Sequence, residues 1–200
     1  MAVIIHMGAF GLSSNGTLPA PQGGMKLTDL DQHHWETGDW IAVVETPGGS
    51  RGKIDYDPER QIFHLHHLLP VGLAFPFDFG FIPRTKAEDG DPLDVVVLTD
   101  QPGYPGLVTG IKLLGSIEAE QTEEGKTFRN DRLLARAVES ASFASLETID
   151  DVAPKLMDEI EEFFKFYNRL RGKTFRVLRR SGRDAAEKLI RDATKGKKAA

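Results

Sequence analysis

The sequence predicts an α+β protein with a mainly β core, a small closed β-barrel with two C-terminal helices packed outside it. Two observations predict it. Short apolar or alternating runs recur between Gly- and Pro-marked turns from residue 40 to residue 139, and a helical period emerges only from Val152 onward. Residues 40–45 (WIAVVE) have strand composition and end at the turn signal Thr46-Pro47-Gly48-Gly49. Residues 52–57 and 61–68 predict a hairpin around Asp57-Pro58-Glu59-Arg60. In its second arm His64 and His66 share one face, and His67 falls on the other with Leu65. Three histidines invite a metal reading, but paired strand histidines are more often surface polar residues than ligands. Residues 73–83 (LAFPFDFGFIP) set four Phe among two Pro and a Gly, which predicts a loop braced on the core rather than a regular strand.

Residues 95–98 (VVVL) read as a buried strand, and 106–119 and 133–139 as two more, separated by a polar hairpin-like stretch at 120–131. Val152, Leu156, Ile160, Phe163, Tyr167 and Leu170 then recur at three and four, with Gly172 as a stop and Asp150 and Asp151 placed to cap the start. Residues 173–179 predict a further strand and 184–194 a second helix. The folded domain is expected over residues 25–195. Residues 1–24, rich in Gly, Ser, Pro and Ala, read as a flexible extension, and 196–200 as a basic tail.

Composition narrows the function. A net charge of -5 argues against nucleic acid as the main partner. The absence of Cys rules out disulfides and thiolate metal sites. No run has the length of a membrane span, and the start lacks the basic and apolar blocks of a signal peptide, so a cytoplasmic location is expected.

The most informative stretch is Asp89-Gly-Asp-Pro-Leu-Asp94, in which three carboxylates fall within six residues just ahead of the apolar run. Gly90 and Pro92 bend the backbone between the acids, so a loop anchored in the core holds several negative charges together. Such charges raise one another's pKa unless a cation stands among them. Hard oxygen ligands with no Cys nearby suit Mg²⁺, Mn²⁺ or Ca²⁺ better than zinc.

DGDPLDVVVL resembles the signature of the soluble family I inorganic pyrophosphatases, and the resemblance extends from Trp40 to the end of the second helix. It implies a five-stranded OB-like barrel, Mg²⁺ (with Mn²⁺ as an alternative) as cofactor, pyrophosphate as substrate, and a homo-oligomer, a hexamer in bacterial members. Asp89, Asp91 and Asp94 match the acidic loop without change. Glu45 matches the glutamate after the first strand, Lys53 and Asp55 a Lys-x-Glu pair, and Tyr167 and Lys173 the Tyr and Lys of the late helix and following strand. The implied mechanism is in-line attack of metal-activated water on phosphorus. Asp91 takes the proton, Asp89, Asp94, Glu45 and Asp55 join it in holding metal, and Lys53, Arg132, Tyr167 and Lys173 neutralise the phosphates.

Several positions depart from the family pattern. His67 stands where a phosphate-binding Arg is expected, Phe75 and Phe79 where two tyrosines are, Asn130 where a metal-binding Asp is, Arg132 where a Lys is, and Asn168 where a further Lys is. One metal-site Asp has no placed counterpart, with Glu120, Glu123, Glu124 and Asp131 as the replacements to consider. The sequence therefore admits two enzymatic readings: a Mg²⁺-dependent pyrophosphatase, or a divergent homologue that binds metal and phosphate with weak or altered activity. An OB-type nucleic-acid module is the third reading, disfavoured by the acidic balance.

Overall fold

The computed structural model describes residues 24–198, and the expected extension at 1–24 falls almost wholly outside them. Nine strands and two α-helices follow a short turn at Leu27–Asp29: β1 (Trp40–Thr46), β2 (Gly52–Asp57), β3 (Ile62–Leu68), β4 (Asp78–Phe81), β5 (Asp94–Leu98), β6 (Val108–Glu123), β7 (Lys126–Arg129), β8 (Arg132–Ala137), α1 (Pro154–Leu170), β9 (Thr174–Gly182) and α2 (Arg183–Lys198).

Five strands pair in a ring, β1–β4–β5–β8–β6 and back to β1, with β5 and β8 parallel and the other pairs antiparallel. The five-stranded, OB-like expectation therefore holds, but the ring is distorted rather than a cleanly closed barrel. Register slips between Val44 and Thr46 and between Leu113 and Gly115. The far half of β6 leaves the ring and pairs with β7 and β9. The β2–β3 hairpin forms a separate two-stranded sheet.

Alternation along the ring strands divides the core in two. Val96, Leu98 and Leu134 pack with Ile160, Phe163 and Phe164 of α1. Val95, Val97, Leu133 and Ala135 pack with Ala186 and Ile190 of α2. Strands buried on both faces read as continuous apolar runs, which is how VVVL and residues 133–135 of β8 appear in the sequence.

Three elements differ from expectation. Residues 78–81 form strand β4, not a loop: it lies between β1 and β5, all four residues are buried, and the two-residue alternation that marks a half-exposed strand is absent. Gly80 permits that pairing, because a Cβ there would lie 1.9 Å from the Val43 carbonyl oxygen. Asp150 and Asp151 do not cap α1. They lie in a separate turn, Ile149–Asp151, where the Asp151 carboxylate accepts the amides of Glu147 and Thr148, while α1 begins with Pro154 in its first turn and no side-chain cap. Helix α2 continues past residue 194 to Lys198, taking up part of the expected tail. No helix among the described residues is long and apolar enough to cross a membrane.

Candidate active site

A cleft of about 610 Å³ opens where the end of β1, the hairpin, the acidic loop, the start of β8 and the end of α1 converge. The hairpin is tied to the ring by Glu45, whose Oε1 accepts the Tyr56 amide at 2.9 Å, and by the hydroxyl of Thr46. Thr46 Oγ1 donates to the Ile54 carbonyl and accepts the Ile54 amide, both at 2.9 Å, which sets Lys53 and Asp55 of β2 opposite Glu45 of β1. The acidic loop is closed at its base by Thr85, whose hydroxyl donates to the Ile82 carbonyl at 2.6 Å and accepts the Leu93 amide at 2.9 Å. Within it the Ala87 amide donates to the Asp91 carbonyl at 2.7 Å, and Gly90 takes φ +96°, a turn conformation for which the loop needs glycine. All three aspartates of the triplet thereby line the cleft with Glu45, Asp55, Lys53, Arg132, Tyr167 and Lys173.

Charge alternates across the floor. Lys53 Nζ lies 2.5 Å from Asp55 Oδ1 and 3.5 Å from Glu45 Oε2, and 4.8 Å from the centre of the Phe79 ring. Arg132 Nη1 lies 2.6 Å from Asp94 Oδ2 and also donates to the Asn130 side-chain oxygen, with its guanidinium 5.7 Å from the Phe79 ring. Burial pushes the Glu45 carboxyl up to about 7, the Lys53 charge and the Tyr56 amide offsetting it only in part. Burial opposes the Lys53 charge, but Glu45 and Asp55 outweigh it and hold the ammonium protonated. Asp94 is raised by burial despite the charges of Arg132 and Lys53. Asp89 and Asp91 are raised as well, first by the protein around them and then by neighbouring acids, Asp91 for Asp89 and Asp94 with Asp55 for Asp91. Among the described residues Asp91 enters no ion pair. Nor do three His or carboxylate side chains there form a ready metal cage; Lys53 and Arg132 stand among the acids as the counter-charge.

The structure brings together every expected site residue except His67. β3 slips register opposite Lys53 and Ile54, and the residue that reaches the cleft is His66, with Nδ1 2.8 Å from Asp55 Oδ2. His67 lies against a smaller hollow beside Tyr167, its two ring nitrogens buried without a partner among the described residues, and burial lowers its pKa. Asp131 is turned away, accepting the Ala119 amide at 2.9 Å and Arg129 Nη2 at 2.7 Å, so it does not supply the unplaced ligand. Glu120 pairs with Arg176, and Glu124 sits in a turn away from the cleft. Glu123 holds Lys173 at 2.6 Å. Phe75 and Phe79 form an apolar wall, and Asn168 is spent within its helix, its amide donating to the Phe164 carbonyl at 2.9 Å. Sequence reasoning missed Gln121, His66 and Arg171 in the lining. Arg171 had no signal except its position four residues after Tyr167, one helical turn away.

Comparison with known proteins identifies the family and the fold. A family profile described as "Inorganic pyrophosphatase" matches residues 42–198. The chain is 33% identical over 156 residues to an inorganic pyrophosphatase of Nostoc sp., covering 78% of this chain and 90% of that protein. It is 37% identical over 149 residues to one of Halalkalibacterium halodurans, covering 74% and 89%. The crystal structure of inorganic pyrophosphatase from Thermus thermophilus superposes with a TM-score of 0.78 at 32% identity, covering 87% of this chain and 99% of that one.

Proposed function

The chain belongs to the inorganic pyrophosphatase family and hydrolyses pyrophosphate to two phosphates, and we propose that it does so in this cleft, with Mg²⁺ (or Mn²⁺ in its place) held by Asp89, Asp91 and Asp94 and backed by Glu45 and Asp55. The observation that carries the assignment is the convergence of five carboxylates with Lys53, Arg132 and Lys173 on one cleft. The donor set fits a hard divalent ion. It is all oxygen, and burial raises all three carboxyls of the triplet, with neighbouring acids adding to the rise, so a cation among them would favour their charged form. When bound, the cation neutralises phosphate charge and makes water a stronger acid at neutral pH.

The remaining work belongs to side chains. Asp91, free of ion pairs among the described residues and more basic than an open carboxylate, accepts the proton of the attacking water. Lys53, Arg132 and Lys173, each held in place by acids, face the two phosphates, and the Tyr167 hydroxyl donates to an oxygen between them. Phe75 and Phe79 exclude water from behind the cations, which strengthens their pull on charge developing on the leaving phosphate. Cytoplasmic location and assembly into a homo-oligomer belong to the same reading, and sedimentation of the purified chain tests the latter. The activity is tested by phosphate release from pyrophosphate with Mg²⁺, with Mn²⁺ and with chelator. Turnover that requires the metal supports the proposal, and no turnover with either ion contradicts it.

A further inference from the structure

The phosphate end of the cleft lacks two expected cations, since His67 lines the neighbouring hollow rather than the cleft and Asn168 is neutral and bonded within its helix. One guanidinium fills that end. Arg171 lines the cleft just past the end of α1, with Nη1 3.1 Å from the Tyr167 hydroxyl and Nη2 3.1 Å from His66 Nε2. His66 is itself oriented, because Asp55 Oδ2 accepts its Nδ1–H at 2.8 Å and so leaves Nε2 as the acceptor facing Arg171. Asp55 Oδ1 meanwhile holds Lys53. A single carboxylate thus orients two cationic arms, one reached directly and one through an imidazole. No acid is paired with Arg171 among the described residues, whereas Arg132 and Lys173 each have one and Lys53 has two.

From this arrangement we infer that Arg171 is a substrate-binding residue that grips a terminal phosphate of pyrophosphate in place of the cation missing at position 67, and that His66 is its positioning residue. A guanidinium is charged at any working pH and offers two parallel donors to a phosphate. Tyr167 and His66 hold it at the cleft mouth, so little side-chain freedom remains to be lost on binding. The inference deepens the proposed reaction and rests on it for the identity of the ligand.

The test reads binding without turnover. Isothermal titration of the full chain in Mg²⁺ with imidodiphosphate, a pyrophosphate analogue that is not hydrolysed, compares wild type with Arg171→Met, Arg171→Lys and His66→Ala. Both residues are exposed, so these variants keep the fold. Arg171→Met is expected to weaken Kd by about tenfold or more, the loss of a charge-assisted bond. Arg171→Lys should recover part of it. His66→Ala should weaken binding by a smaller factor, and should add nothing in an Arg171→Met background. Turnover should show the same losses in KM with kcat nearly kept. An unchanged Kd in Arg171→Met, or a wild type that binds no analogue, overturns the inference. Equal losses from His66→Ala in both backgrounds overturn the positioning role. A wild type that binds the analogue but releases no phosphate from pyrophosphate contradicts the proposed reaction instead and leaves the Arg171 result to stand by itself.

Discussion

On the acidic side of the cleft Glu45 lies in β1 and Asp94 opens β5, two strands of the ring buried along most of their length. On the cationic side Lys53 and His66 ride a two-stranded hairpin outside the ring, and Tyr167, Arg171 and Lys173 come from the end of α1 and the turn after it. By the resemblance, the acidic triplet is expected to match the family pattern without change, with Asn130 the one departure among expected metal ligands, while His67, Phe75, Phe79 and Asn168 replace groups expected to face phosphate. The difference has a physical cause. Oxygen ligands must meet a small cation at fixed short distances, so their backbone positions are tightly set. A phosphate can be gripped by a long, flexible cation from more than one backbone position, and a lost Arg at one site can be answered by an Arg at another.

The comparison can be broken most severely at Arg132, which touches both sides. Arg132→Met leaves Asp94 without its partner and removes a phosphate-facing charge. It is expected to lower kcat/KM by at least about a hundredfold and to destabilise by about 3 kcal/mol, read by steady-state kinetics and urea unfolding. Wild-type stability in this variant would show that the ion pair is not structural.

A second test isolates the acidic side. A carboxyl whose pKa is raised by folding holds its proton more tightly in the native state, so stability is lost as pH rises from the ordinary value toward the raised one. For Glu45 that window runs from 4.5 to about 7, with a cost of up to about 3 kcal/mol, and Asp89, Asp91 and Asp94 act in the same direction. Metal-free protein should therefore unfold at lower urea at pH 8 than at pH 5.5, and Mg²⁺ should cancel the difference. A Mg²⁺-independent profile would detach these acids from cation binding.

Thr46→Val probes the hairpin's attachment. Losing both hydrogen bonds of the Thr46 hydroxyl to Ile54 should cost about 1–2 kcal/mol and lower activity through displacement of Lys53 and Asp55. If unfolding changes but activity does not, the hairpin is located by other contacts. The smallest effect is expected at His67, whose ring nitrogens are buried and unpartnered among the described residues. His67→Leu should raise stability by about 1 kcal/mol, measured by the same unfolding curves, and a loss would mean that the ring has partners in solution.

Much of this was legible in the sequence. The ring strands other than β4, both helices and the acidic loop follow from apolar runs, helical period and a dense carboxylate motif. β4 did not, because four residues buried on both faces carry no alternation, and Pro, Gly and Phe around them look like a loop. The exchange of His67 for His66 was hidden for a different reason. Two-residue alternation allows only one of the pair to face the cleft, but the choice depends on a register slip in the hairpin that no local residue type announces. Arg171 was hidden because its role comes from contacts with Tyr167 and His66, the latter more than a hundred positions away in the chain.

The most direct measurement is phosphate release from pyrophosphate by wild type and Asp91→Asn across a Mg²⁺ titration. Asp91→Asn keeps the shape and removes the base, so kcat should fall by about a hundredfold or more at saturating Mg²⁺, while the wild type turns over only when Mg²⁺ is present. A wild-type rate in Asp91→Asn, or a wild-type rate indifferent to Mg²⁺, would contradict the account.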